Sequence, residues 1–263
     1  MGEPPPPVEP PPLAEGAAPV LRITGLSLDG GAGQARLSAV DLEVRSGEIV
    51  GIAGVEGNGQ RELVRALAGL EPSARGSLRV ADHEVPWSAP PAARRALLGV
   101  VHEDRHADGL VLEATVGDNL VLGDLGTPGF DEAATIARRI RDFQVHPTSP
   151  ALRAAELSGG NQQKLVIARA LDRVRAAGAG AALICAQPTR GVDVGAAAAI
   201  HAAIGAAAGA GMAVLLVSAD LGELRRLSHR ICVMARGRIV ATLPPDADEQ
   251  RIGKAMLGGE EAA

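Results

Sequence analysis

Leu157-Ser158-Gly159-Gly160-Asn161-Gln162-Gln163 is the stretch that decides the fold, because its small and polar residues lead directly into an apolar helix face. Four apolar residues at helical spacing predict that this helix is half-buried: Val166, Ile167, Ala170 and Leu171. The small residues would let the helix N-terminus approach a phosphate, which its N–H groups and the Ser158 hydroxyl would bind. A glycine turn before an ordinary helix is the alternative, and the other motifs must decide between the two.

A second glycine-rich stretch is Gly54-Val55-Glu56-Gly57-Asn58-Gly59-Gln60-Arg61, which lies between an apolar run at residues 49–53 and leucines at helical spacing. Strand, glycine loop and helix form the context that a phosphate-binding loop requires. The glycine spacing fits Gly-x-x-x-x-Gly-Lys-Ser/Thr, but Gln60 replaces the lysine and Arg61 replaces the hydroxyl residue that would hold Mg²⁺. The backbone donors therefore remain while the side-chain chemistry is weakened. A glycine-rich turn without any ligand is the alternative.

Two polar segments follow apolar runs. The cluster His102-Glu103-Asp104-Arg105-His106-Ala107-Asp108-Gly109 comes after the strand-like residues 99–101. Its histidines and carboxylates match metal ligands in type, but the mixed charge favours a solvated or docking segment. The segment Ala186-Gln187-Pro188-Thr189-Arg190-Gly191-Val192-Asp193 comes after an apolar strand at residues 181–185. A polar loop at a strand end is where an open parallel sheet places its ligand chemistry.

Composition narrows the class of protein. The chain has 263 residues, enough for one large α/β domain or two small ones, and 46% of them are hydrophobic. Aromatic residues are only 1%, so aliphatic side chains must build the core and no tyrosine can stack on a base. The net charge of −5 argues against a nucleic-acid surface. The two cysteines lie in apolar runs, which indicates a reducing compartment, and no apolar run reaches the ~20 residues that cross a bilayer.

The order of elements predicts the domain organisation. Residues 1–19 read as a disordered proline-rich linker, residues 20–257 as one domain, and residues 258–263 as a tail. Strands are predicted at 20–28 and 35–44, joined by a turn at 29–33, then at 49–53, 99–101, 181–185 and 213–217, with a hairpin at 231–241. Helices are predicted at 90–98, 110–122, 130–143, 196–210, from 221 and at 246–257, with a helical subdomain at about 103–165. Alternating strands and helices give an α/β sheet.

With these four motifs in order, the chain resembles the nucleotide-binding domain of ABC transporters over residues 20–257. Within that superfamily it is most similar to the second, C-terminal ATPase half of bacterial importers for simple sugars and nucleosides. The strings that carry this closer resemblance are residues 51–60, Glu103-Asp104-Arg105, Gly159-Gly160-Asn161-Gln162-Gln163-Lys164 and Gln187-Pro188-Thr189-Arg190-Gly191. The resemblance implies an α/β, P-loop NTPase-like core with a mixed sheet and helices, an antiparallel β subdomain and a helical signature subdomain.

The resemblance also implies where ATP would bind. In that family two domains lie head to tail, and ATP is held between the phosphate loop of one, residues 54–61 in this chain, and the signature loop of the other, residues 157–163 in this chain. In this chain, the phosphate loop would make weak contacts to a nucleotide through Gly54, Glu56, Gly57, Asn58, Gly59, Gln60 and Arg61. The signature contacts, made in trans to a nucleotide on a partner, would come from Ser158, Gly159, Gly160 and Gln162.

Several positions depart from the family pattern. Ala186 and Gln187 replace the strand-end aspartate and the water-positioning glutamate, Glu103 replaces the polar-loop glutamine, and Ala219 replaces the switch histidine. Phosphoryl transfer depends on positioning and charge neutralisation, so a site without these groups, the lysine and the hydroxyl should be nearly inactive. No residue of this chain is therefore predicted to be catalytic or to bind a metal, and Mg²⁺ is expected only at the partner's site.

The chain is expected to be one half of an asymmetric pair, in which its signature loop completes the ATP site of the other half. The implied partners are a second ABC ATPase domain with a complete phosphate loop, membrane permease subunits that meet residues 102–109 and, indirectly, an extracytoplasmic substrate-binding protein. The implied location is the cytoplasmic face of the cell membrane, without nucleic acid. Three alternatives stay open: a catalytically inactive nucleotide-binding regulatory or assembly module, a soluble ABC-type protein of DNA repair or translation, and a remnant without function.

Overall fold

The computed structural model describes residues 9–30, 35–127, 129–175 and 178–258. Ten strands lie within these residues: β1 (Pro19–Asp29), β2 (Ala35–Arg45), β3 (Ile49–Ala53), β4 (Arg75–Val80), β5 (His83–Glu84), β6 (Leu98–Val101), β7 (Ala182–Ala186), β8 (Ala213–Val217), β9 (Arg230–Ala235) and β10 (Arg238–Leu243). Eight α-helices accompany them: α1 (Gln60–Ala68), α2 (Pro91–Arg94), α3 (Val116–Val121), α4 (Glu132–Asp142), α5 (Gly159–Val174), α6 (Val194–Gly209), α7 (Leu221–Leu227) and α8 (Glu249–Met256). Parts of the predicted linker, of the predicted turn at 29–33 and of the tail lie outside the described residues.

The strands form two sheets. A four-stranded antiparallel sheet has the order β2-β1-β4-β5, and a six-stranded sheet has the order β10-β9-β3-β8-β7-β6. The central pairs of the larger sheet are parallel, and β10 pairs antiparallel with β9. The predicted fold class, a mixed sheet with helices plus an antiparallel β subdomain, is confirmed.

Aliphatic side chains fill both faces of the larger sheet, as the shortage of aromatic residues requires. Along β7, Leu183 and Cys185 face one cluster of buried residues, which includes α5 and α6, while Ile184 faces the other, which includes the antiparallel sheet and α1. This alternation is the period-2 pattern of a strand. Both cysteines are free and buried, and burial raises the pKa of each thiol, so they behave as small apolar side chains.

A buried ion-pair network joins the helices of the predicted signature subdomain. Arg139 on α4 is 3% exposed and forms ion pairs with Asp172 on α5 at 2.9 Å and with Asp124 at 2.7 Å. Burial alone would raise the pKa of Asp172, but hydrogen bonds from Arg138 and Arg139 outweigh it and lower that pKa. The network ties α4 and the segment around Asp124 to the C-terminal part of α5.

Two predicted helices are shorter in the structure. The helix predicted at 90–98 ends at Arg94, and the helix predicted at 110–122 begins only at Val116. A capping box sets the second boundary, since Thr115 Oγ1 accepts from Asp118 N at 3.0 Å while Asp118 Oδ2 accepts from Thr115 N at 3.1 Å. This Thr-x-x-Asp pattern resembles the known Thr-x-x-Glu start signal and was readable in the sequence.

The described part of the predicted linker contacts the domain. Residues 9–18 contain no helix, but the Pro11 carbonyl accepts a hydrogen bond from His229 Nε2 at 2.7 Å. His229 Nδ1 accepts from Ile49 N at 2.9 Å, so its ring joins this segment to the start of β3. The domain's contacts therefore extend further toward the N-terminus than its predicted start at residue 20.

Candidate functional site

The parallel strands of the larger sheet bring the sequence motifs to one edge. β3, β6, β7 and β8 run in the same direction, and each ends in a motif loop. The glycine loop follows β3, residues 102–109 follow β6, residues 187–193 follow β7, and residues 218–220 follow β8. The carboxyl edge of a parallel sheet is where ligands bind in such folds.

The side chain that replaces lysine folds back onto the glycine loop after β3. Gln60 Nε2 donates to the Val55 carbonyl at 3.2 Å. A Cβ at Gly54 would lie only 2.2 Å from Gln60 Nε2, so the amide fits because residue 54 is glycine. The first-turn N–H groups of α1 have no intrahelical partners and remain suited to an anion. Gln60, however, reaches back onto its own loop as a neutral donor.

Asn58 pins the same loop to the C-terminal part of the domain. Its Nδ2 donates to the Met256 carbonyl at 3.1 Å, and its Oδ1 accepts from Arg236 N at 3.0 Å. The amide is therefore bonded at both ends within the domain, by the end of α8 and by the turn between β9 and β10. The prediction that Asn58 contacts a nucleotide stays a prediction, and its described contacts are structural.

Two of the altered family positions, Gln187 and Ala219, are bonded to each other, and a third, Glu103, is bonded to the loop after β7. Ala186 ends β7 and is 2% exposed, and Gln187 adopts a φ of 47°, in the left-handed region that favours glycine. Gln187 Oε1 accepts from Ala219 N at 3.1 Å, which ties the loop after β7 to the loop after β8. Glu103 forms an ion pair with Arg190 at 2.9 Å. These side chains hold loops together and supply no carboxylate at residue 186 or 187.

The signature loop presents a helix start with an available hydroxyl proton. Ser158 is the exposed N-cap of α5, and its Oγ accepts from Asn161 N at 3.4 Å and from Asn161 Nδ2 at 3.0 Å. Both bonds use the oxygen as the acceptor, so the hydroxyl proton is left to donate outward. A Cβ at Gly160 would lie 2.9 Å from Ala196 Cβ, so only glycine lets α5 pack this closely on α6. The helix start thus presents an exposed Ser158 next to a buried Gly160, and its contact with phosphate stays a prediction.

Gln162 lies behind this helix start. It is 6% exposed, and its Nε2 donates to the Ala154 carbonyl at 3.1 Å. Its Oε1 accepts from Arg105 Nε at 3.3 Å and lies 2.8 Å from His106 Nε2. The prediction that Gln162 contacts a nucleotide stays a prediction, because its amide is satisfied inside the domain. Sequence reasoning missed Arg105 and His106 as its partners, since the pairing spans more than 50 residues and no local pattern reports it.

A buried carboxylate behind the loop after β7 was also missed. Glu223 on α7 is 1% exposed, and its Oε1 accepts from Thr189 Oγ1 at 2.7 Å and lies 2.7 Å from His201 Nε2 on α6. Burial alone would raise the pKa of Glu223, but hydrogen bonds from His201, Ser218 and Thr189 outweigh it and lower that pKa. Glu223 therefore remains ionised at neutral pH and ties the loop after β7 to α6 and α7.

Glu223→Gln is expected to change the pH dependence of stability. Because folding lowers the pKa of Glu223 below its ordinary value of 4.5, its contribution is present above that pH and is lost as the pH falls through the folded pKa. The variant should be less stable than wild type by about 1–3 kcal/mol at pH 7, and the difference should shrink below about pH 4.5. Urea denaturation at pH 7, 5, 4 and 3 measures it. A difference that stays constant across this range would contradict the assignment.

The arrangement determines what each loop can do. The signature loop offers N–H donors and one hydroxyl donor to a phosphate, with nothing negative in its first turn. The glycine loop offers backbone donors, but residue 61 has no hydroxyl for Mg²⁺. Residue 186, at the end of β7, has no carboxylate for it either. Within the described ranges, no three His, Cys, Asp or Glu side chains converge as metal ligands would. In the same part of the chain, no helix is both long and apolar enough to cross a bilayer.

Known proteins share this sequence and fold. The family model described as ABC transporter matches residues 37–175. The chain is 39% identical to the nucleoside import ATP-binding protein NupA of Lactococcus lactis subsp. cremoris, over 91% of this chain and 48% of that protein. It is 40% identical to the ribose import ATP-binding protein RbsA 1 of Streptomyces avermitilis, over 90% of this chain and 45% of that protein. The chain thus spans about half the length of the curated relatives it matches.

A solved structure supports the fold alone. A dimeric ATP-binding cassette in a post-hydrolysis state, bound to ADP and Pi, superposes with a TM-score of 0.71 at 19% identity, covering 87% of this chain and all of that one. Together with the family match, this confirms the resemblance that the four sequence motifs predicted.

Proposed function

The chain belongs to the ABC transporter family, and from this membership we propose that it is an ATP-binding half of an importer for a simple sugar or a nucleoside. Relatives named as nucleoside and ribose import ATP-binding proteins support the substrate class. In this proposal the chain works at the cytoplasmic face of the membrane, with permease subunits and, through them, an extracytoplasmic binding protein.

The observation that carries the proposal is the contrast between the two phosphate-binding elements. The signature loop keeps its small residues and an outward hydroxyl donor at Ser158. The chain's own loop has no lysine, and the Gln60 amide in its place donates to the loop's Val55 carbonyl. In a symmetric dimer of this chain, both ATP sites would pair an intact signature loop with a defective phosphate loop. The competent site therefore needs a partner whose complete loop holds ATP and Mg²⁺, which Ser158, Gly159 and Gly160 of this chain then close.

A cationic groove supports permease docking near residues 102–109. The groove has a volume of about 350 Å³, and its lining includes Arg95, Arg169, Arg173 and the half-buried His102. Burial and the neighbouring Arg173 lower the pKa of Arg169 to about 10, so the guanidinium remains charged at neutral pH. Four arginines line the groove with Asp108, and Arg94 is the fourth. Arg173 is paired with Asp124, and the remaining excess of positive charge favours an acidic permease segment as the occupant.

The test is ATP turnover by a reconstituted pair. The partner is an ATP-binding half with an intact Gly-x-x-x-x-Gly-Lys-Ser/Thr loop, found on the same longer chain or among neighbouring reading frames. Each half alone should hydrolyse ATP poorly, and the mixture should exceed their sum by at least about tenfold, since each sandwich needs both loops. Turnover by the partner that this chain does not change would favour the inactive regulatory or assembly module instead.

A further inference from the structure

Arg105 lies where three separate segments meet. Its Nε donates to Gln162 Oε1 at 3.3 Å, in the first turns of α5. Its NH1 donates to the Arg190 carbonyl at 3.1 Å, in the loop after β7. Its NH2 lies 3.0 Å from the position that a Cβ on Gly159 would take, so the guanidinium packs against the backbone of the signature loop. One planar group thus touches both loops at fixed relative positions.

The turn that carries Arg105 is hydrogen-bonded at both of its ends. Residues 105–109 form a single π-helical turn, which Asp104 caps by accepting from His106 N at 2.9 Å and from Ala107 N at 3.1 Å. These backbone hydrogen bonds lower the pKa of Asp104, so the cap is ionised at neutral pH. At the other end of the turn, Arg169 of α5 donates to the Gly109 carbonyl. The turn and α5 are therefore bonded at both ends.

The hydrogen bonds of Gln162 fix the orientation of its side-chain amide. Because its Nε2 donates to the Ala154 carbonyl, its Oε1 must be the atom that faces Arg105 and His106. His106 therefore donates through Nε2–H. The His106 ring hydrogen-bonds to α5, whereas Arg105 bonds both to α5 and to the Arg190 carbonyl. Arg105 thus hydrogen-bonds to both the signature helix and the loop after β7, beside the point where the backbones of Gly159 and Gly191 also approach each other directly.

We propose that Arg105 is a positioning residue that sets the signature loop against the loop at residues 187–193. This role rests on the proposed function, because the loop that it positions is the one that would close on a partner's nucleotide. Arg105 acts through Gln162 and the backbone of residues 159 and 190, and it touches no nucleotide itself.

Arg105→Lys tests the proposal, because it keeps the charge and loses the fork. Hydrogen–deuterium exchange of the full chain should rise about tenfold in peptides covering residues 158–164 and 187–193, while peptides of β3 and β8 stay unchanged. Arg75→Lys is the matched control, since Arg75 also makes two fork bonds, both to Asp29 at 2.9 Å, on the antiparallel sheet. If Arg105→Lys does not fold, Arg105→Gln, whose shorter side chain cannot span both segments, replaces it.

Turnover of the reconstituted pair separates a positioning role from general loosening. Arg105→Lys should lower kcat about tenfold and leave the KM for ATP within about twofold, because the partner's phosphate loop would hold the nucleotide. Exchange within twofold of wild type in both peptides would overturn the proposal. A rise in exchange, combined with turnover that does not depend on Ser158, would keep the positioning role and refute the proposed function instead.

Discussion

Ser158→Arg is expected to reduce ATP turnover of the reconstituted pair by about 10²–10³-fold, the usual cost of removing one donor to a developing oxyanion. The arginine would also place a long side chain over the helix start, where the N–H groups must approach the phosphate. Ser158 is exposed, so the domain should remain folded and lose about 1 kcal/mol with its N-cap. Steady-state ATPase of the pair and urea unfolding of the single chain measure the two effects.

Two further variants separate loss of the cap from loss of the phosphate contact. Ser158→Asp should keep the cap, because aspartate is a good N-cap, but should lose turnover, because its charge repels phosphate. Asp131→Ala removes the N-cap of α4, where Asp131 Oδ1 accepts from Ala134 N at 3.0 Å, and should keep turnover. Full activity of Ser158→Asp, or an equal loss in Asp131→Ala, would mean that Ser158 acts only as a cap.

The adjoining glycines are weaker probes of the same contact. A Cβ at Gly159 would lie 2.9 Å from the Gly191 carbonyl oxygen, and one at Gly160 would lie 2.9 Å from Ala196 Cβ. A bulky residue at Gly160 is still expected to abolish the partner's turnover, but it would also push α5 away from α6. A loss of activity there would report packing together with phosphate binding, whereas Ser158 points outward and reports the contact itself.

The sequence predicts the scaffold of this site better than its connections. The apolar runs at β3, β7 and β8 and the helix after Ser158 were predicted because burial and capping impose local patterns. The bonds of Gln162 to Arg105 and of Glu223 to Thr189 join residues that are more than 30 positions apart. Nothing local distinguishes such polar residues from solvated ones. The strained backbone of Gln187 could not be predicted either, because no turn rule places a glutamine at a φ of 47°.

Asn58 and Gln60 illustrate the same limit at the phosphate loop. Their place after β3 predicted contacts with a nucleotide, since a loop of this pattern exposes its side chains and N–H groups to phosphate. The structure gives both side chains carbonyl partners within the domain, at Met256 and Val55. The Met256 partner is almost 200 residues away, so only the packing of α8 against β9 explains it.

Arg94→Met is expected to destabilise the domain by about 3–5 kcal/mol, in the range for breaking a buried charged network. Arg94 is 2% exposed and donates all five guanidinium N–H groups to backbone carbonyls: Ala66, Leu67, Pro86, Trp87 and Ala89, at 2.7–3.1 Å. No carboxylate is among these partners, and burial lowers the pKa of its guanidinium. The side chain thus joins the end of α1, which starts at the phosphate loop, to the segment that leads into β6.

The size of this effect depends on the carbonyls that methionine would leave without donors. Each such buried group costs about 1–3 kcal/mol. The Ala66 and Pro86 carbonyls keep backbone donors, from Gly69 N and Ala89 N, so the loss falls mainly on the carbonyls of Leu67, Trp87 and Ala89. Arg94→Lys, with three donors and no fork, should lose less stability.

Arg79→Met is the control, since Arg79 is exposed and makes one bond, to the Asp82 carbonyl at 3.1 Å. Its stability should stay within about 0.5 kcal/mol of wild type. Guanidinium denaturation at constant m-value measures all three. A loss below 1 kcal/mol in Arg94→Met would mean that water, rather than this arginine, satisfies the buried carbonyls between the end of α1 and the segment that leads into β6.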